Sequence, residues 1–309
     1  MKTTTTTTAL AALALVAAGL TGCSAPAPGA TAPPTATGSP TVAAPPAPVD
    51  VSAELAALED EFAATVGVSV VDTGTGASVA YRADERFAYA STLKAFAAAE
   101  FLHDVPAGER DEVVTWTAAD VEASGYSPVT SAAVDTGLPL SELAEAAVRQ
   151  SDNTAMNLVL DRVGGPAGLD AGLAELGDTT TEVVDREPEL NTVAPGSTAN
   201  TTTPAAFTAD LAALLDGDRL DDADLATLLD WMSGNATGDA LIRAGAPDGW
   251  TVADKSGGAG GVRNDVAVVT RPDGDPLVVT VLTVADDPAA GYDDALVART
   301  AAVALGALG

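Results

Sequence analysis

The sequence predicts a mixed α/β fold in which the two ends of the folded chain build one sheet and the middle supplies helices. Three observations carry this expectation. Short apolar runs bounded by turn residues fall at 66–82 and again at 251–284. Between them, apolar residues recur at helical spacing. Residues 24–49, just before the folded chain, have a composition that builds no packed core.

The elements follow in order. Ser52 is placed to cap a helix running to about Ala64, with Leu55, Leu58 and Phe62 on one face. Val66–Val71 and Ala77–Arg82 read as strands around the turn Asp72-Thr73-Gly74-Thr75-Gly76. A very apolar helix spans about Thr92–His103 and stops before Pro106. Helices are expected at about 141–150, 154–163, 166–176, 204–215 and 221–232. Strands return at 251–255, 262–270 and 276–284, and a helix at about 291–306 closes the chain. An α/β part of about 50–85 and 233–309 therefore holds a helical part of about 86–232. A cleft between the two is the natural place for a site.

Residues 1–22 read as an export signal: Lys2 gives the positive start, and Ala9–Leu20 is an apolar run. That run is too short to span a bilayer as a helix, which needs roughly 20 residues. Leu20-Thr21-Gly22-Cys23 resembles the lipobox of bacterial lipoproteins, with Cys23 as the lipid-bearing residue. Residues 24–49 hold eight prolines in 26 positions and no charge before Asp50. They read as a semi-extended tether of at most roughly 80 Å. Residues 23–49 would thus hold a catalytic unit, 50–309, away from the outer face of a bacterial membrane, in the periplasmic or cell-wall space.

Charge and rare residues exclude several classes. The chain has 14 Lys and Arg against 44 Asp and Glu, a formal −30, which gives no general basic surface for nucleic acid. One Cys rules out a disulfide framework, and one His, His103, rules out a multi-histidine zinc site. No cofactor and no metal are expected, and the unit is expected to be a monomer. The lysines are Lys2, Lys94 and Lys255.

Four segments carry candidate chemistry, and each has a plain alternative. Ser91-Thr92-Leu93-Lys94 puts Ser91 and Lys94 on one helix face. A buried Lys94 loses its proton more easily and can activate the Ser91 hydroxyl. The alternative is a cap followed by a solvated lysine. Ser151-Asp152-Asn153 precedes an apolar run and reads equally as a helix cap. In Glu187-Pro188-Glu189-Leu190-Asn191, Pro188 suits the first turn of a short helix. Glu187 and Asn191 are then one turn apart and can grip one water, the arrangement of a general base; the alternative is an acidic helix start. Lys255-Ser256-Gly257-Gly258 can bind an anion against bare backbone, or be a polar turn. Asp254 stands where a phosphate loop needs Gly, and Val79 stands where a dinucleotide fingerprint needs its third Gly after Gly74-Thr75-Gly76.

Taken in order, Ser-x-x-Lys, Ser-Asp-Asn, Glu-x-x-x-Asn and Lys-Ser-Gly resemble the class A serine β-lactamases over about residues 50–309. The resemblance implies a serine β-lactamase/penicillin-binding-protein-like fold, an antiparallel sheet flanked by helices plus an all-helical subdomain. It implies a β-lactam substrate, acylation of Ser91, and Lys94 or Glu187 through a water as acylation base. It also implies an oxyanion hole from the backbone N–H groups of Ser91 and Gly258, and Ser151 as proton relay to the ring nitrogen. Lys255, Ser256 and Arg263 would hold the substrate carboxylate. Asn153 would bond the acylamide, Tyr126 would wall the cleft, and Glu187 with Asn191 would direct the deacylating water. Asp50 onward carries a formal −31, so attraction for an anionic substrate must be local.

Two departures stand out. Family members often place Arg two before the catalytic Glu and pair it with an Asp nine after the Asn. Here those positions are Asp185 and Asn200, and Arg186 lies one step nearer the Glu. The Lys255–Arg263 stretch is also one residue shorter than in many members, which bears on Arg263. Two rivals remain at this stage: a penicillin-binding D,D-carboxypeptidase or transpeptidase, and a non-catalytic lipoprotein with this fold.

Overall fold

A computed structural model describes residues 46–309 apart from Asp218. The export segment, Cys23 and most of the tether lie outside the described residues. The main sheet has five strands, β1 (Ala64–Asp72), β2 (Ser78–Tyr81), β3 (Thr251–Ala259), β4 (Val262–Thr270) and β5 (Leu277–Ala285). Their order is β2-β1-β5-β4-β3, and every neighbouring pair is antiparallel. The two ends of the folded chain meet at its centre: β1 pairs with β5 from Ala64 opposite Ala285 to Asp72 opposite Leu277.

The helices in chain order are α1 (Ser52–Phe62), α2 (Leu93–Asp104), α3 (Ala118–Ser124), α4 (Leu140–Arg149) and α5 (Asn153–Arg162). Then come α6 (Gly165–Leu176), α7 (Pro204–Asp216), α8 (Asp222–Ser233), the short α9 (Ile242–Gly245) and α10 (Asp294–Gly306). Side chains alternate across the sheet, so neighbouring residues of β5 serve different cores. Leu277, Val279 and Val281 pack with α1 and α10 through Leu55, Leu58, Leu296 and Val297. Val278 joins a second core with Phe207 and Leu211 of α7 and the residues of α2. Helices thus cover both faces, and β5 is buried from Leu277 through Thr283 without alternation.

Ten of the 12 residues of α2 are buried. A helix apolar all round belongs inside, and α4, α5, α6 and α8 pack around it. Phe96 meets Phe207 of α7 with ring centroids 4.5 Å apart. Burying Phe96, Phe101, Leu93 and Leu102 stabilises by about 1.5–3 kcal/mol each.

Four local expectations need correction. Ser52 does not cap α1: the cap position is Val51, with no side-chain bond, and the Ser52 N–H donates to Asp50 Oδ1 at 3.0 Å. Strand β3 continues to Ala259 through Gly257 and Gly258, which look like turn residues when read alone. The closing helix begins at Asp294, where Asp293 caps it. The segment holding Pro188 forms a 3₁₀ turn, Glu189–Asn191, with Pro188 just ahead of it. The sequence reading also passed over α3, which is held by a capping box between Thr117 and Asp120.

Candidate active site

The edge strand β3, the start of α2 and the start of α5 converge on one cavity of about 260 Å³. Ser91, Tyr126, Ser151, Asn153, Asn191, Ser256, Gly258 and Arg263 all line it, with Thr237 and Tyr292. Ser91 lies in a 3₁₀ turn, Ala90–Thr92, that runs into α2. Two non-glycine residues beside the site sit in left-handed backbone, Ala90 (φ 48°) and Ser151 (φ 55°). Such conformations cost on the order of 1–3 kcal/mol each and persist only where packing holds them. Gly257 allows a close backbone approach: a Cβ there would lie 2.9 Å from Tyr89 O and 3.1 Å from Ser91 N. Bare backbone at 257 therefore brings the edge strand against the nucleophile, next to the Gly258 N–H.

Lys94 is fully buried, and its Nζ is the hub of the site. It donates to Ser91 Oγ at 3.0 Å, to Ser151 O at 2.9 Å and to Asn153 Oδ1 at 2.6 Å. It also pairs with Glu187 Oε1 at 2.9 Å, both side chains being inaccessible to solvent. Burial pulls the Lys94 pKa below the usual lysine range, and the Glu187 charge opposes that. Ser91 Oγ itself lies 3.4 Å from Glu187 Oε1. Ser151 sits between two lysines, with Lys255 Nζ 3.2 Å and Lys94 Nζ 3.4 Å from its Oγ. Burial, and then the Lys94 charge, push the Lys255 pKa down to about 7.

Glu187 is fixed at every polar atom. Its Oε2 accepts from Asn191 Nδ2 at 2.6 Å, so the two side chains bond directly. Asn191 lines the cavity, and its Oδ1 is buried without a protein partner. The Glu187 backbone is held through Asn157, whose Oδ1 accepts from Glu187 N at 3.0 Å while its Nδ2 donates to Glu187 O at 2.9 Å. Asn157 escaped the sequence reading. Its signal was its place one turn after Asn153 on α5, on the same helix face. Asp152, between Ser151 and Asn153, is the helix cap that the plainer reading proposed. It accepts from Ala155 N, Val129 N and Thr130 N, each at 2.9 Å. Asn153 spends one Nδ2 proton on Ser124 O at 2.9 Å and keeps the other for the cleft.

The neck of the loop that carries Glu187 is closed by the two departing residues. Asn200 Nδ2 donates to Asp185 Oδ2 at 2.7 Å. Asn200 Oδ1 accepts from Tyr89 OH at 3.0 Å, Asp185 N at 3.0 Å and Val184 N at 3.2 Å. A neutral amide thus fastens the neck in place of an ion pair. Arg186 points elsewhere, to Asp161 at 2.7 Å.

At the other end of the cavity, Ser256 Oγ and Thr237 Oγ1 are 2.6 Å apart. Thr237 donates on to Asn235 Oδ1 at 2.8 Å, and Asn235 bonds the buried Asp254, which Arg243 also holds. The shorter hairpin still delivers Arg263, which faces Gly258 across the β3–β4 ladder. Its Nε donates to Asp294 Oδ1 at 2.6 Å. Thr237 and Tyr292 were not read from the sequence, because neither sits in a motif of the set.

A serine bonded to a buried lysine, with an amide-held carboxylate behind it and a cationic end to the cleft, defines a serine hydrolase that works through an acyl-enzyme. A sequence model of the beta-lactamase enzyme family matches residues 50–308, and the chain belongs to that family, within its class A serine enzymes. It is 46% identical over 256 residues to a beta-lactamase of Bacillus licheniformis, covering 82% of this chain and 83% of that one. It is 48% identical over 260 residues to beta-lactamase FAR-1 of Nocardia farcinica, covering 83% and 82%. Among solved structures, a class A beta-lactamase from Clostridium kluyveri superposes with a TM-score of 0.80 at 42% identity, over 83% of this chain and 98% of that one. A beta-lactamase from Streptomyces albus G gives a TM-score of 0.81 at 38% identity, over 84% and 99%.

Proposed function

We propose that the chain hydrolyses the β-lactam amide bond of penicillins and cephalosporins through an acyl-enzyme on Ser91, and so confers β-lactam resistance. The observation that carries this is the chain of contacts from Ser91 Oγ to Lys94 at 3.0 Å and from Lys94 to Glu187 at 2.9 Å. Lys94 passes a proton to Glu187, then accepts the Ser91 proton as Oγ attacks the carbonyl carbon. Backbone N–H groups of Ser91 and Gly258 receive the developing oxyanion. Ser151 gives its proton to the departing ring nitrogen and is recharged by Lys94, which then recovers the proton held on Glu187. Glu187 is again a carboxylate. With Asn191 it orients a water and takes its proton as the water oxygen attacks the ester carbon. That proton returns through Lys94 to Ser91 Oγ as the ester bond breaks, which releases the acid and restores Ser91. Lys255, Ser256 and Arg263 hold the substrate carboxylate, Asn153 takes the acylamide, and Tyr126, 59% exposed, walls the cleft.

The Glu187–Asn191 pair and the family match both favour this reading over a D,D-carboxypeptidase or transpeptidase and over a non-catalytic lipoprotein. The test is turnover of a chromogenic cephalosporin by the full-length chain, with Ser91→Ala as control. Glu187→Ala should show, by intact mass after mixing with a penicillin, a persistent adduct on Ser91. Unchanged turnover in that variant would remove Glu187 from its assigned role. The lipobox ending at Cys23 supports export and a lipid anchor at the outer face of the bacterial cell membrane. Activity should then fractionate with membranes, and Cys23→Ser should release it; equal release from both chains would sink the anchor.

A further inference from the structure

We propose that Tyr292 is a specificity-determining residue that touches substrate, its ring receiving a flat group attached beside the substrate's carboxylate-bearing carbon. The inference rests on the β-lactam reading of the site.

Tyr292 lies in the loop before α10, two residues ahead of Asp294, and lines the same cavity as Ser91 and Ser256. It is 48% exposed, and Tyr126 is the other exposed large apolar side chain in that cavity. An aromatic face left to water inside a catalytic cleft marks a contact surface. This ring is also held in place. The Arg263 guanidinium carbon lies 4.9 Å from its centroid. Arg263 bonds through Nε to Asp294 at 2.6 Å and through Nη2 to Thr237 O at 3.4 Å, which leaves Nη1 toward Gly258.

Gly258 makes the arrangement possible. A Cβ at 258 would meet Arg263 Nη1 at 3.2 Å and Tyr292 ring carbons at 3.4 and 3.5 Å. The missing side chain lets guanidinium and ring close onto the strand edge that presents the oxyanion donor. Strand edge, cation and ring form one surface, and the cation on it takes the carboxylate. In a penicillin the ring carbon next to the carboxylate-bearing carbon holds methyl groups. In a cephalosporin it holds a variable substituent, which this placement directs onto the Tyr292 face.

The experiment uses the full-length chain and two cephalosporins that share one acyl side chain. One carries a heteroaromatic ring at the variable position, and the other carries a methyl group. Tyr292→Ala should raise KM for the ring-bearing substrate about three- to tenfold, with kcat within about twofold. The methyl-bearing substrate should shift by less than about twofold, and Tyr292→Phe should restore the ring-bearing KM. An equal rise for both substrates means that Tyr292 only props Arg263, and overturns the proposal. No rise for either overturns it too. Failure of the unsubstituted chain to hydrolyse either substrate overturns the β-lactam reading beneath it, a result seen before any substitution is made.

Discussion

The loop that carries Glu187 touches buried carboxylates at two places, and they are treated in opposite ways. At the catalytic end, Glu187 meets a buried cation at 2.9 Å and an amide at 2.6 Å. At the entry of the loop, Asp178 faces Asp210 of α7, and one oxygen of each is buried without a hydrogen-bond partner. Burial and the Asp178 charge push the Asp210 pKa from 3.8 to about 9. The first cluster pairs opposite charges. At the second, Asp210 keeps its proton, because burial and the neighbouring Asp178 disfavour its charged form. The two places thus satisfy a buried carboxylate differently, one against a cation and one with a retained proton.

Between these two places the Asp185–Asn200 neck decides how firmly Glu187 is presented. Asn200 is 1% exposed and its side chain takes part in four hydrogen bonds, so its loss leaves the Asp185 carboxylate, two backbone N–H groups and Tyr89 OH short of partners. Each unmet buried group costs about 1–3 kcal/mol. Asn200→Ala should slow deacylation about tenfold or more, while the burst of acylation, which runs through Ser91 and Lys94, falls far less. Rapid-quench kinetics separate the two steps. An equal fall in both would mean that the neck shapes the whole cleft and not the water-directing carboxylate. The double variant Asp185→Arg with Asn200→Asp rebuilds an ionic neck and should recover most of the lost deacylation.

The neck also shows where sequence reading reached its limit. The residues at 185 and 200 were visible as departures, but their mutual bond was not. A donor–acceptor pair 15 residues apart has no periodicity to announce it. The same holds for the two-residue strands Phe87–Ala88 and Thr201–Thr202, which pair across more than a hundred residues. By contrast α2 was legible because twelve mostly apolar residues end before a proline. Strand β3 was half legible: its apolar start read as strand, and Gly257 and Gly258 hid the rest, although those glycines are what bring it to Ser91. Ser91, Lys94 and Glu187 were legible because the proposed proton transfer restricts the residue types that can serve, and Lys255 because holding an anion calls for a cation. Asn157, Thr237 and Tyr292 act by position, and many residue types could hold such positions.

The carboxyl pair at the loop entry gives the smallest effect and the sharpest sign. The folded chain keeps a proton on Asp210 that the unfolded chain loses near pH 4, and it releases that proton only near pH 9. The pair's contribution is therefore fully present below about pH 4 and is lost as pH rises through 9. Asp178 and Asp84 line the shallow cleft over Asp210. Asp210→Asn keeps a hydrogen-bond donor toward Asp178 at every pH and removes the titration. Its thermal midpoint should exceed that of the unsubstituted chain at pH 8.5 by a few degrees, taking about 2–4 °C per kcal/mol for a domain of this size. The two should converge as pH falls toward 4, where Asp210 is protonated in both states of the unsubstituted chain. Parallel midpoint curves across pH 5–9 would show that Asp210 titrates alike in folded and unfolded chains, and the loop entry would then be held by packing alone.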